Sequence, residues 1–108
     1  MNGIDRIVAE RKRQLNKEGR GAAEHDDKCL DGQLADAASC YAATYPIQRY
    51  DRSDPWPLRW VPAPIFRSAP TKARIQQLSL AGALIAAEID RLQRLGKRLL
   101  RLSRNNKR

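Results

Sequence analysis

The chain has 108 residues and a formal net charge of +9, from 21 Lys and Arg against 12 Asp and Glu. A single domain of this size buries roughly 65% of its unfolded surface, enough to fold alone with little margin. Its composition is neither collagen-like nor that of a disordered chain, and the charge is not spread evenly. Residues 1–90 hold 13 basic and 12 acidic side chains, whereas residues 91–108 hold eight basic side chains and no acid. A field concentrated in this way attracts polyanions, acidic protein surfaces or anionic lipid.

In chain order, the first element is an amphipathic helix over 4–17, with Ile4, Ile7, Val8 and Leu15 near one face and Arg11, Lys12 and Asn16 elsewhere. Residues 18–32 (EGRGAAEHDDKCLDG) are acidic, Gly-punctuated and aperiodic, hence a loop. Asp31 is the expected N-cap of a second helix over 32–44, where Leu34, Ala38, Tyr41 and Tyr45 recur at helical spacing and the rest of the surface is mostly alanine. An Ala-rich face lets a neighbouring helix come close.

All six prolines lie within 46–70, with both tryptophans, the one Phe and Tyr50. Proline denies helix and central strand alike, so this is a long irregular loop, pinned by its aromatic side chains. Thr71 is the expected cap of a last helix over 71–104, about 50 Å long at 1.5 Å per residue. Ile75, Leu78, Gly82, Ile85, Ile89 and Leu92 alternate at three and four, the seam of a helix–helix interface with Gly82 as a close-contact point. Further on, a stripe of Leu92, Leu95, Leu99 and Leu102 runs beside Arg91, Arg94, Arg98 and Arg101, and Gly96 weakens the helix by about 1 kcal/mol relative to Ala. Nothing in residues 1–70 is an obvious cover for the distal leucines, so a second subunit, a partner or fraying is expected. The expected fold is all-α: three principal helices, a long Pro/Trp-rich loop and a basic helical extension. Residues 1–92 form the compact unit and 93–108 the tail.

Several motifs follow one another in the order of a known pattern. Glu10-Arg11-Lys12-Arg13-Gln14 leads to Glu18-Gly19 and His25-Asp26-Asp27. Gly32-Gln33-Leu34-Ala35-Asp36-Ala37-Ala38 is followed by Tyr41-Ala42, then Trp56-Pro57-Leu58-Arg59-Trp60-Val61-Pro62. Ala81-Gly82-Ala83-Leu84-Ile85-Ala86-Ala87-Glu88-Ile89-Asp90-Arg91-Leu92 closes the series. Over roughly 4–93 this resembles small phage and prophage accessory proteins of the form ERxRQ…EG…HDD…GxLAxAAxxYA…WPxxWxP…AGALIxAEIDRL. The resemblance implies a phage-type origin and an all-helical fold, and no established activity. The chain departs from it at Arg20, where an aromatic is common, at Gln33, where an acid is common, and in the basic extension beyond Leu92.

The chemistry-bearing groups are few. His25, Asp26 and Asp27, near Glu18, Glu24 and Asp31, could hold a divalent cation or do acid–base work, but adjacent loop residues usually diverge and Asp commonly caps or turns a loop. All-α nucleotide pyrophosphohydrolases need a helical EExxE and a later ExxD. The second helix offers only Asp31 and Asp36, and Glu88 and Asp90, two apart, point to different helix faces. Cys29 lies four residues from His25 with nothing to orient it, and no GxSxG, Walker A or GxGxxG occurs. No catalytic residue, metal ligand or cofactor is therefore assigned. Cys29 and Cys40 lack CxxC spacing and read as reduced thiols. The N-terminal MNGIDRIVAERKR has no apolar h-region, so no signal peptide is expected. The longest apolar stretch, 80–87, is too short to span a bilayer. A soluble cytoplasmic protein is expected, in the host cytoplasm if phage-encoded.

The aromatic loop carries more. Trp56, Trp60, Tyr50 and Phe66 interleave with Arg49, Arg52, Arg59 and Arg67, a mix in which rings stack bases and guanidinium groups fork phosphates. The bland alternative is that the indoles pin a Pro-rich loop while the arginines stay wet. An anion pocket under this loop would draw on Arg13, Gln14 and Glu18 of the first helix, Asp27 of the acidic loop, Trp56, Arg59, Trp60 and Arg67, and Arg74 of the last helix. Arg91, Arg94, Arg98, Arg101 and Arg104 form a separate surface for a polyanion or an acidic partner, and membrane-surface binding is disfavoured there because no Trp or Phe lies on the apolar side. The functional expectations are, first, a non-enzymatic phage counter-defence protein that captures a nucleotide-type signal. Next is an inhibitor that binds nucleic acid or a host nucleic-acid-binding effector such as a CRISPR complex. Third comes a metal-dependent nucleotide hydrolase using the HDD loop. Self-association through the last helix accompanies any of them.

Overall fold

In the computed structural model, residues 1–18, 26–29, 32–44 and 70–106 are described. Three α-helices carry most of them: α1 over Gly3–Glu18, α2 over Gln33–Ala42 and α3 over Thr71–Asn106; Asp26 and Asp27, in the segment expected as a loop, are helical and lead into a turn at Lys28, with no strand among the described residues. The all-α reading holds. The Pro/Trp-rich loop falls almost wholly outside the described residues, as do His25 and Asp31.

Local chemistry explains the helix ends. Asn2 Oδ1 accepts from the Asp5 N–H at 2.9 Å and Asp5 Oδ2 accepts from the Asn2 N–H at 3.1 Å, a reciprocal box that starts α1. At α2 the cap position is Gly32, not Asp31. Its φ of 81° is left-handed backbone that glycine adopts at no steric cost, and its carbonyl accepts the first helical bond from the Asp36 N–H at 2.9 Å. Pro70 caps α3, with its carbonyl accepting from the Arg74 N–H at 3.0 Å, so Thr71 is the first helical residue rather than the cap.

Both short helices lie on α3. The core between α2 and α3 is small: Leu34, Ala37, Ala38 and Tyr41 meet Ala81, Leu84 and Ala87. Alanine faces allow the axes to approach closely, and close approach gives each small side chain its contacts. The expected seam is placed differently. Of its six positions only Gly82 makes the anticipated close contact, with Ile7 of α1, where an added Cβ would lie 2.6 Å from Ile7 Cγ1 and Cδ1. Ile75, Leu78, Ile85, Ile89 and Leu92 keep between 38% and 51% of their surface exposed. The helix turns Ala81, Ala83, Leu84 and Ala87 inward and the Ile and Leu of the expected seam outward.

The first helix is also turned relative to its apolar pattern. Ile4, Val8 and Leu15 are exposed, while Glu10 is buried and Arg11 half-buried. Polar contacts, rather than an aliphatic stripe, hold α1 to α3.

Candidate polyanion-binding site

The site is best built from its ion pairs. Glu10, buried on α1, accepts from Arg13 Nη2 at 2.6 Å and Nε at 3.0 Å, and from Gln76 Nε2 of α3 at 3.2 Å. The hydrogen bond to Glu10 raises the Arg13 pKa above its ordinary value, more than burial lowers it. Arg11 Nη2 reaches Asp26 Oδ2 at 3.3 Å and Asp90 Oδ2 at 3.2 Å, tying α1, the acidic turn and α3 together. Its Nε is buried without a hydrogen-bond partner among the described residues. Arg74 donates from Nη1 to the Tyr41 carbonyl at 3.0 Å and from Nη2 to the Ala42 carbonyl at 2.5 Å. It thus closes the C-terminus of α2, which has no basic residue in its own last turn.

Along α3, five arginines stand in a row at three- and four-residue spacing, and their surroundings change in order. Arg91 is buried, its side chain 8% exposed, and pairs with Glu88 at 2.5 Å. Arg94, 33% exposed, donates to Asp27 Oδ1 from Nη2 at 2.9 Å and from Nε at 3.1 Å. Arg98, 62% exposed, stands 3.7 Å from Asp27 Oδ2. Arg101 and Arg104 are exposed, as is Lys97 beside them, with no carboxylate partner among the described residues. The guanidinium row runs from wholly compensated to bare.

These contacts locate the residues singled out from the sequence. Arg13 faces Glu10, Asp27 faces Arg94 and Arg98, and Arg74 faces the end of α2. Gln14 is half-buried on α1, and Glu18 ends that helix. Two grooves flank the meeting of α1 with the start of α3, of about 460 and 840 Å3. Arg6 and Ile75 line both, and neither includes Arg13, Gln14 or Arg74. Trp56, Arg59, Trp60 and Arg67 lie outside the described residues. Arg91, Arg94, Arg98, Arg101 and Arg104 all lie on α3, but Arg91 is buried against Glu88 and so, contrary to expectation, is no part of an exposed surface.

Asp26 and Asp27 serve different arginines, and among the described residues no three His, Cys, Asp or Glu side chains converge as a metal site would need. Burial, then the carboxylates of Asp26 and Glu88, push the Cys29 thiol above its ordinary pKa against the opposing effect of Arg91. A thiol held protonated in this way is a poor nucleophile. Among the described residues no helix is long and apolar enough to cross a membrane.

Sequence reasoning missed Glu10, Arg11, Asp26 and Asp90 as partners. Arg11 and Asp90 are 79 positions apart, and no local pattern announces such a pair. The Asn2–Asp5 box did carry a signal, an Asx residue three before an acid at the start of an apolar-periodic run. No family model, curated protein or solved structure matches this chain.

Proposed function

We propose that this chain is a non-catalytic nucleic-acid-binding protein that grips the phosphate backbone with the distal third of α3. One observation carries the reading. Lys97, Arg98, Arg101 and Arg104 are exposed over about two turns of α3, and among the described residues only Arg98 of the four stands near a carboxylate. A succession of exposed cations along one helix suits a periodic polyanion better than a single acidic pocket, with each guanidinium able to fork a phosphate and Lys97 adding a point charge. The likeness to phage accessory proteins makes counter-defence the biological setting of this proposal, with nucleic acid held at or away from a host effector. Uncovered Ile85, Ile89 and Leu92 support the pairing of two chains through α3, which would present two tails to one strand and raise avidity.

The test is fluorescence anisotropy of a labelled oligodeoxythymidylate, titrated across salt and followed in parallel by sedimentation. Four engaged cations predict a slope of log K against log salt of about −3 for a single strand, and loss of binding when residues 93–108 are removed. Binding that survives this truncation overturns the reading. The nucleotide-capture expectation rests on Trp56, Arg59, Trp60 and Arg67. It would announce itself in the opposite way, as a thermal shift with a nucleotide that persists in the truncated chain and vanishes in Trp60→Ala.

A further inference from the structure

The gradient along the arginine row has a defined breakpoint, and one carboxylate creates it. Arg94 and Arg98 are one helical turn apart on α3, and Asp27, from the acidic turn between α1 and α2, sits against both. Arg94 Nε and Nη2 both donate to Asp27 Oδ1, while Oδ2 faces Arg98. An anion placed against two successive guanidinium groups of a row occupies the position that a phosphate of a bound strand would take. Asp27 itself is only part-buried, at 29% exposure, so solvent and a competing anion have access to the same pair.

We infer that Asp27 is a built-in competitor for nucleic acid, occupying the proximal end of the phosphate track and limiting the resting site to Lys97, Arg101, Arg104 and part of Arg98. This inference rests on the reading of distal α3 as a nucleic-acid site and adds to it a residue that sets how many cations take part. A strand that binds tightly displaces the Asp27 carboxylate and gains Arg94 and Arg98. A weak or short anion does not. Asp26, beside it, pairs with Arg11 of α1, which is off the row.

The experiment compares Asp27→Asn with the wild-type chain in the oligodeoxythymidylate titration. The variant keeps the side-chain size and removes the charge. It is expected to bind about threefold or more tightly near 0.1 M salt and to steepen the salt slope by about 0.7 to 1.4, one or two further phosphates. A change in the general field of the protein would also tighten binding, so the same substitution is made in an Arg94→Gln/Arg98→Gln background. There the effect of Asp27→Asn is expected to disappear, and its persistence would overturn the inference. Should Asp27→Asn fail to fold by circular dichroism, the arginines alone decide the matter. Arg94→Gln is then expected to weaken wild-type binding less than Arg101→Gln, and the reverse order overturns the proposal. Equal affinity and slope for Asp27→Asn and wild type sinks the competitor role and leaves the nucleic-acid reading standing. Absence of binding in both sinks the two together.

Discussion

The two halves of α3 share leucine and arginine but differ in alanine and in acid, and they do different things. Before Leu92 the helix turns Ala81, Ala83, Leu84 and Ala87 inward, and its buried arginine, Arg91, is paired with Glu88. From Gly96 to Asn105 every side chain is exposed, leucines and arginines alike. Leu84 is buried and Leu99 is not, although both are leucines in one continuous helix. The difference teaches that small residues, not large ones, mark the packing face here, because only they let α1 and α2 approach closely enough to make contacts. Beyond the small-residue face, Asp27 pairs with Arg94 and Arg98, and further out Arg101 and Arg104 have no carboxylate partner among the described residues.

The sharpest way to break this comparison is to remove one arginine from each half. Arg11 holds α1 to the proximal half through Asp90 and to the segment between α1 and α2 through Asp26, and its side chain is mostly buried. Arg11→Ala leaves Asp26 buried without that partner and is expected to cost about 3–5 kcal/mol, measured by urea denaturation. Arg101→Ala, in the distal half, is expected to stay within about 0.5 kcal/mol. A comparable loss at both sites would mean that the distal arginines also serve the fold. A smaller contrast comes from the leucines. Leu34 is the largest fully buried side chain among the described residues, and Leu34→Ala is expected to lower stability by about 2–5 kcal/mol. Leu99→Ala should change it by less than about 0.5 kcal/mol, offset in part by the better helix propensity of alanine. If Leu99→Ala instead destabilises the chain in a concentration-dependent manner, the distal leucines are an interface between copies.

Much of this architecture was legible. Helical periodicity placed all three helices within a few residues of their observed limits, and Gly82 was recognised as a point of close approach. The orientation of the helices was not legible. Periodicity reports which residues share a face, but the Ala face and the Ile/Leu face of α3 are both periodic, and only the partner helices decide between them. The same holds for α1, where Glu10 and Arg11 read as solvent-facing because their partners, Gln76 and Asp90, are remote in sequence. For the site, the row of arginines could be read directly from spacing, whereas its gradient could not. That gradient depends on Asp27, which a sequence shows only as a member of an acidic run.

The two glycines of α3 give the smallest and cleanest contrast, since helix propensity treats them alike. Either one replaced by alanine should gain about 0.8–1.0 kcal/mol from propensity alone. At Gly96 an added Cβ meets nothing within 4 Å, so the full gain is expected, with a higher melting temperature and a more helical distal segment. At Gly82 the same Cβ would lie 2.6 Å from Ile7 Cγ1 and Cδ1 and 3.3 Å from Cγ2. Not all of that overlap can be relieved by rotating a terminal methyl, because a β-branched side chain has few alternatives at χ1 in a helix. The displacement must pass to α1, and overpacking of this kind costs about 1–3 kcal/mol, enough to cancel the propensity gain or exceed it. Gly96→Ala should therefore stabilise and Gly82→Ala should not. A matched rise in melting temperature at both sites would show that Ile7 does not rest on Gly82, leaving the polar contacts of Glu10 and Arg11 to hold α1 on the proximal half.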